Sequence, residues 1–143
     1  MREMTRTALV ARLPSRLYRL VEDVERYPEF VPGCTAARVL ERQDGEMVAR
    51  LSVRRGPLRT EFTTRNQLEP DHAVHMHLVE GPFRMLEGHW RFTPVASNGC
   101  RIDFVLRFQF ANSLKSMLFE PLFEETAAQL VRAFVARAQA TPP

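Results

Sequence analysis

"SLKSMLFEPLFEETAAQLVRAFVARA", residues 113–138, decides the fold. Leu118, Leu122, Phe123, Ala127, Leu130 and Phe134 recur at three- and four-residue steps, which sets them on one face of a helix. Glu120, Glu124, Glu125, Arg132 and Arg137 fall mostly on the other face. Burying a large apolar side chain contributes about 1.5–3 kcal/mol, so a stripe of this length is stable only inside an apolar wrapper. Pro121 interrupts the pattern. A proline within a helix costs about 3 kcal/mol, so a break is expected near Phe119–Glu120, with Pro121 opening the main helix. Such a break is either a hinge over a cavity or a fixed kink packed in place.

The residues before this stretch supply the wrapper. Met4–Leu13 alternates weakly and reads as a strand ending at Pro14, which suits the first position of a helix over Ser15–Arg26. "YPEFVPGC", Tyr27–Cys34, has two prolines and a glycine in eight residues, so it reads as a short helical turn or tight connection with an apolar face. Antiparallel strands follow, beginning with Thr35–Arg42 and a hairpin at Asp44-Gly45. Met47, Ala49, Leu51 and Val53 face one way on the next strand. Thr60, Phe62, Thr64 and Asn66 then share a face, as do Val74, Met76 and Leu78, then Leu86, Gly88, Trp90 and Phe92. Ile102, Phe104, Leu106, Phe108 and Phe110 form the cleanest alternation. One apolar and one polar face per strand describes an antiparallel sheet covered on one side. The expectation is one α+β domain over residues 1–143, a curved sheet of about seven strands gripping the last helix.

The space between sheet and helix is where function is expected. Phe62, Met76, Trp90, Phe92, Phe104, Leu106 and Phe108 come from the strands, and Phe119, Phe123, Ala127, Leu130 and Phe134 from the helix. Thr60, Thr64 and Asn66 are phased among them. Buried polar groups without partners cost about 1–3 kcal/mol each, so these either meet a cavity or lie solvated near strand ends. A dry cavity costs about 24 cal/mol per Å³, so such a space must be narrow, wet or occupied by an apolar guest.

Other chemistries find less support. No nucleophile motif or phosphate-cradling glycine loop occurs, and no carboxylate pair is phased inward; Glu29 is the one acid near the expected mouth. His75, His77, His89 and Glu87 form a metal-like quartet, but their phasing puts them on the open convex side, where they read as solvated. Cys34 and Cys100 form no ligand cluster, and a reducing cytoplasm is expected. No apolar run is long enough for a transmembrane helix, and "MREMTRTALV" lacks the apolar core of a secretory signal. The formal charge of +3 does not by itself indicate a nucleic-acid binder, and no DNA partner is expected. Lys115 is the one lysine among 20 basic residues. Arg50, Arg54, Arg59, Arg65, Arg91, Arg101 and Arg107 phase outward together. They read as a surface for ribosomal RNA or anionic lipid, or as a solvated face partly neutralised by Glu61, Glu87 and Asp103.

"SRLYRLVEDVERYPEFVPGC" (15–34), "FTTRNQL" (62–68), "LVEGPFRMLEGHWRFTP" (78–94), "CRIDFVLRFQF" (100–110) and "QLVRAF" (129–134) are strong in their joint order and spacing. Together they resemble the ribosome association toxin (RatA) family and the mitochondrial coenzyme Q-binding proteins of the same START-like, polyketide-cyclase-related superfamily. The resemblance implies a helix-grip fold with an apolar tunnel. It implies that Tyr27, Pro28, Phe30, Val31, Pro32 and Cys34 match the signature at the tunnel mouth, with Gly81, Pro82 and Phe83 in the turn facing it. Two functions come with it. One is the binding of ubiquinone or a similar isoprenoid lipid in support of respiration, with peripheral contact at the inner membrane. The other is binding the large ribosomal subunit and blocking its association with the small one. The cyclase label implies an enzyme, for which no inward acid–base pair is found. Gly33 stands where bulkier aromatic residues often follow the second proline in the quinone-binding branch, which favours the toxin-like bacterial branch.

Overall fold

The computed structural model describes residues 1–142. β1 (Arg2–Val10) leads through α1 (Pro14–Glu22) and a 3₁₀ segment (Val24–Glu29) to six consecutive strands. These are β2 (Cys34–Gln43), β3 (Glu46–Arg55), β4 (Leu58–Glu69), β5 (Ala73–Glu80), β6 (Phe83–Val95) and β7 (Gly99–Phe110). Two helices close the chain, α2 (Ser113–Ala128) and α3 (Leu130–Gln139). The seven strands form one antiparallel sheet in the order β1-β7-β6-β5-β4-β3-β2. Register shifts at Cys34/Ala36, Val39/Glu41, Thr63/Thr64 and Phe83/Met85 are the kind of irregularity that bends a sheet. The helices pack on its inner side.

The expected α+β helix-grip architecture is present, and three boundaries differ from the sequence reading. β1 starts at Arg2 and stops at Val10 rather than running from Met4 to Leu13. Its register on β7 runs from Arg2 opposite Phe108 to Val10 opposite Cys100, and β7 itself begins at Gly99, so Arg12 and Leu13 have no strand residue to pair with. α1 ends at Glu22, not Arg26: Asp23 leaves helical geometry, and Pro28 lies in the tighter segment that follows. That proline has no N–H to continue an α-helix and disfavours helical geometry at the residue before it.

The third difference concerns the gripped helix itself. Pro121 lies inside a continuous α2, and the break falls at Gln129. Pro121 and Met117, whose carbonyl it deprives of a helical donor, are both exposed, so water can satisfy that oxygen. Nearer the break, the Thr126 hydroxyl donates to the Leu122 carbonyl at 2.9 Å, and the Gln129 N–H reaches back only three residues, to Thr126. Back-bonding of this kind bends helices. Two individual placements on this helix also change. Leu118, expected on the buried stripe, is exposed, whereas Glu120 is buried and accepts a hydrogen bond from the Phe110 N–H at 3.1 Å. Arg2 contacts the same carboxylate at 3.4 Å, tying β1, the end of β7 and α2 together.

Candidate functional site

Sheet and helix do not close completely on each other. A cavity of about 80 Å³ remains between them. Its strand wall consists of Leu51, Val53, Phe62, Thr64, Met76, Leu86, Gly88, Trp90, Phe104 and Leu106. Phe123, Thr126, Ala127, Leu130 and Phe134 form the helix wall on both sides of the Gln129 break, and Tyr27, Val31, Pro32 and Cys34 complete the enclosure. Pro32 is exposed yet lines the space, which marks where the cavity reaches the surface. Small side chains make the room. Gly88 has none, and a Cβ there would lie 2.5 Å from the end of Met76 and 3.6 Å from Leu106 and Phe104.

The polar groups on this wall use their hydrogens internally. The Tyr27 hydroxyl donates to the Val21 carbonyl, and burial raises its pKa far above the ordinary phenol value. Cys34 contacts the Ala36 carbonyl at 3.5 Å, and burial pushes its thiol up to about 11. Thr64 donates to the Asn66 side-chain oxygen at 2.7 Å, and Thr126 donates to Leu122 within α2. The Tyr27 phenol and the Cys34 thiol stay protonated at neutral pH, so neither serves as a general base. Thr60, two residues before Phe62 on β4, is buried with a hydroxyl that has no partner among the described residues. Asn66 is buried as well, so the reading of these two as solvated strand ends does not hold.

Several residues assigned to the tunnel from sequence lie elsewhere. Phe83 and Phe108 pack with Phe110 and Phe123 into a solid aromatic layer: Phe83 stacks on Phe110 at 4.5 Å, and Phe108 meets Phe123 at 4.8 Å. Phe119 joins the edge of this layer, 6.4 Å from Phe110. Phe92 packs edge-on against Tyr18 of α1. Pro28 is exposed in the 3₁₀ segment. Phe30 lies behind the wall against Phe134, capped by the Arg137 guanidinium 4.8 Å from its ring centre. Glu29 is held by Arg137 and Arg26 instead of facing the mouth. Bulk was the misleading signal, because the largest rings fill space. Leu51, Val53, Leu86 and Gly88 were legible from alternation, and Thr126 from its place one turn after Phe123.

Gly33 has a backbone reason to be glycine. Its φ is +81°, and a Cβ would lie 2.9 Å from Thr126 and 3.2 Å from the Arg54 carbonyl. A larger residue would strain the mouth whatever the ligand.

On the convex side, the Nδ1 atoms of His75 and His89 lie 2.8 Å apart, and His75 Nε2 is 2.6 Å from Glu69. These histidines are half-buried and hydrogen-bonded, not solvated, whereas His77 is exposed. Burial and the neighbouring His75 lower the His89 pKa. Among the described residues no group with metal-binding geometry occurs. The outward arginines divide. Arg65 pairs with Glu46, Arg107 with Glu3 and Glu87, and Arg101 with Asp103. Arg50, Arg54, Arg59 and Arg91 have no carboxylate partner among the described residues.

Residues 10–135 match the family described as polyketide cyclase / dehydrase and lipid transport. The chain is 45% identical to the ribosome association toxin RatA of Escherichia coli, over 97% of this chain and 88% of that protein. It is 34% identical to a mitochondrial coenzyme Q-binding protein COQ10 homolog B of Xenopus laevis, over 83% of this chain and 50% of that protein. In fold it resembles the Zhui aromatase/cyclase of a Streptomyces strain, with a TM-score of 0.87 at 19% identity, covering 96% of this chain and 93% of that one.

Proposed function

The chain belongs to the polyketide cyclase / dehydrase and lipid transport family, and from that premise we propose that it is a non-enzymatic carrier of a long apolar ligand, an isoprenoid quinone such as ubiquinone, in support of respiratory electron transfer. The supporting observation is a cavity whose wall is apolar and whose polar hydrogens are already engaged. Such a wall selects by shape and apolarity, and it offers no acid–base pair for a cyclase reaction. The likeness to a coenzyme Q-binding protein points the same way. At about 80 Å³ the cavity is below the roughly 300–1,000 Å³ of ligand pockets, so loading must widen it. The break at Gln129 supplies a joint, because Ala127 and Leu130 lie on opposite sides of it. Among the described residues, no helix is long and apolar enough to cross a membrane. Exposed Leu114, Met117 and Leu118 at the start of α2 would suit a peripheral encounter with one.

Lipid extraction and mass spectrometry of the purified protein test this reading. A quinone should be recovered, and Phe104→Ala or Leu130→Ala should lower its retention while Arg54→Glu with Arg65→Glu should not. Extracts without any isoprenoid, or equal loss from both pairs, would count against it.

A second reading is favoured by the 45% identity to a ribosome association toxin across nearly the whole chain. In that reading the protein binds the large ribosomal subunit through its surface and hinders its joining to the small one. The cavity and the outward arginines lie on different sides of the sheet, so the two readings are compatible.

A further inference from the structure

The convex face of the sheet carries two kinds of arginine. Where β6, β7 and β1 meet, basic residues face acidic ones across the strands: Arg107 lies opposite Glu87 and Glu3, and Arg91 opposite Asp103. Where β2, β3 and β4 meet, they face each other. Arg38 lies directly opposite Arg50, and Arg54 directly opposite Arg59. None of these four has a carboxylate within ion-pair distance among the described residues. Of the acids on this face, Glu61 is engaged by the Ser52 hydroxyl at 3.1 Å, Glu46 pairs with Arg65, and Glu41 lies opposite Val48 without an ion-pair contact to any of the four. Like charges directly opposite on neighbouring strands are unfavourable, so the arrangement calls for an anion from outside.

We propose that the convex surface of β2, β3 and β4 is an RNA-backbone-binding face, on which Arg38, Arg50, Arg54 and Arg59 contact phosphates. The proposal rests on the ribosome-association reading and names the surface that would carry it. Arg50 and Arg54 are four residues apart on one strand, about 13 Å at strand rise, so the two cross-strand pairs form a short row on rigid backbone. Planar guanidinium groups match phosphate oxygens bidentately. A lipid surface fits less well, because membrane-lying elements put apolar and basic groups on one face, and the exposed Leu114, Met117 and Leu118 belong to α2 on the other side of the sheet. Arg65 and Arg107, which the sequence grouped with this set, are neutralised by their carboxylates and fall outside it.

The test is co-sedimentation of the full chain with purified large ribosomal subunits between 50 and 200 mM salt, beside pelleting with phosphatidylglycerol vesicles. Four phosphate contacts predict that affinity falls roughly 50- to 150-fold over that range. Arg54→Gln with Arg59→Gln should weaken binding at 50 mM and make its salt dependence shallower by about two contacts. Arg65→Gln with Arg107→Gln should leave both unchanged. If the first pair binds subunits as the parent does, the surface assignment is wrong while ribosome association stands. If the parent chain fails to sediment with subunits at 50 mM salt, both fall. Loss of vesicle binding in the first pair, with subunit binding intact, would reassign the face to anionic lipid and overturn the proposal.

Discussion

Around Phe123 the sheet and α2 close on each other; one turn farther along, around Thr126 and Ala127, they leave a gap. At the closed end Phe83, Phe108 and Phe110 interlock with Phe123 at ring separations of 4.8–6.0 Å. At the open end the sheet presents Thr64, Met76 and Gly88, and the helix presents Thr126 and Ala127. Ring against ring fills the grip at one end; at the other, Gly88, Thr64, Thr126 and Ala127 leave a gap that Trp90, Phe104 and Phe134 border without filling. An empty volume of about 80 Å³ costs on the order of 2 kcal/mol at 24 cal/mol per Å³. The fold therefore gives up stability at one end that it could recover with a few larger side chains. The proposed carrier role calls for that pattern: a closed end that anchors the helix and an open end with room beside it.

The sharpest way to break this contrast is to hollow the closed end. Phe108→Ala should cost about 3–5 kcal/mol in urea unfolding, because the rings around it are tightly packed. Leu51→Ala at the open end should cost about 1 kcal/mol, since Leu51 is half-buried and already faces free space. Equal losses would mean that the two ends are packed alike.

A smaller effect is expected from the orphan hydroxyl on β4. Thr60→Val removes a buried polar group with no partner among the described residues and should raise stability by about 1 kcal/mol, read as a shift of the urea midpoint. A drop would show that the hydroxyl is satisfied in solution.

Stability should also fall on the alkaline side. Burial raises both Cys34 and Cys100 from 9.0 to about 11. The unfolded thiols ionise first as pH rises, so stability present below about pH 9 should be lost progressively toward pH 11. Replacing both by alanine should flatten that slope. The two thiols also report on the two environments. Cys34 lines the cavity and Cys100 does not, so a small thiol reagent at pH 8 should label Cys34 faster.

The sequence carried the architecture because alternation is a strong signal when one face of every strand is covered. The β7 pattern Ile102, Phe104, Leu106, Phe108 and Phe110 is buried residue for residue. Alternation says which side a residue faces, not whether the opposite surface touches it. For that reason alternation groups Phe92 and Phe108 with the cavity wall, as helical spacing does Phe119, and neither signal singles out Gly88 or Thr126, which make the space. The helix break was misplaced for a related reason. Pro121 is the strongest local breaker, but exposure makes it tolerable, and the helix is interrupted instead at Gln129, just past Thr126, whose hydrogen bond to Leu122 sequence spacing does not announce. Ion pairing was also invisible at that level. Arg54 and Arg65 share the same phase, but only the register of β3 on β4 and the reach of Glu46 separate them.

Trp90 is the chain's one tryptophan, and it lines the cavity. Its fluorescence during titration with a short-chain ubiquinone therefore reports directly on the open end. The account predicts saturable quenching in the parent chain and binding about tenfold weaker, some 1.4 kcal/mol, in Gly88→Val, whose side chain would occupy the space beside Met76, Leu106 and Phe104. Quenching that never saturates, or that is identical in both proteins, would contradict it.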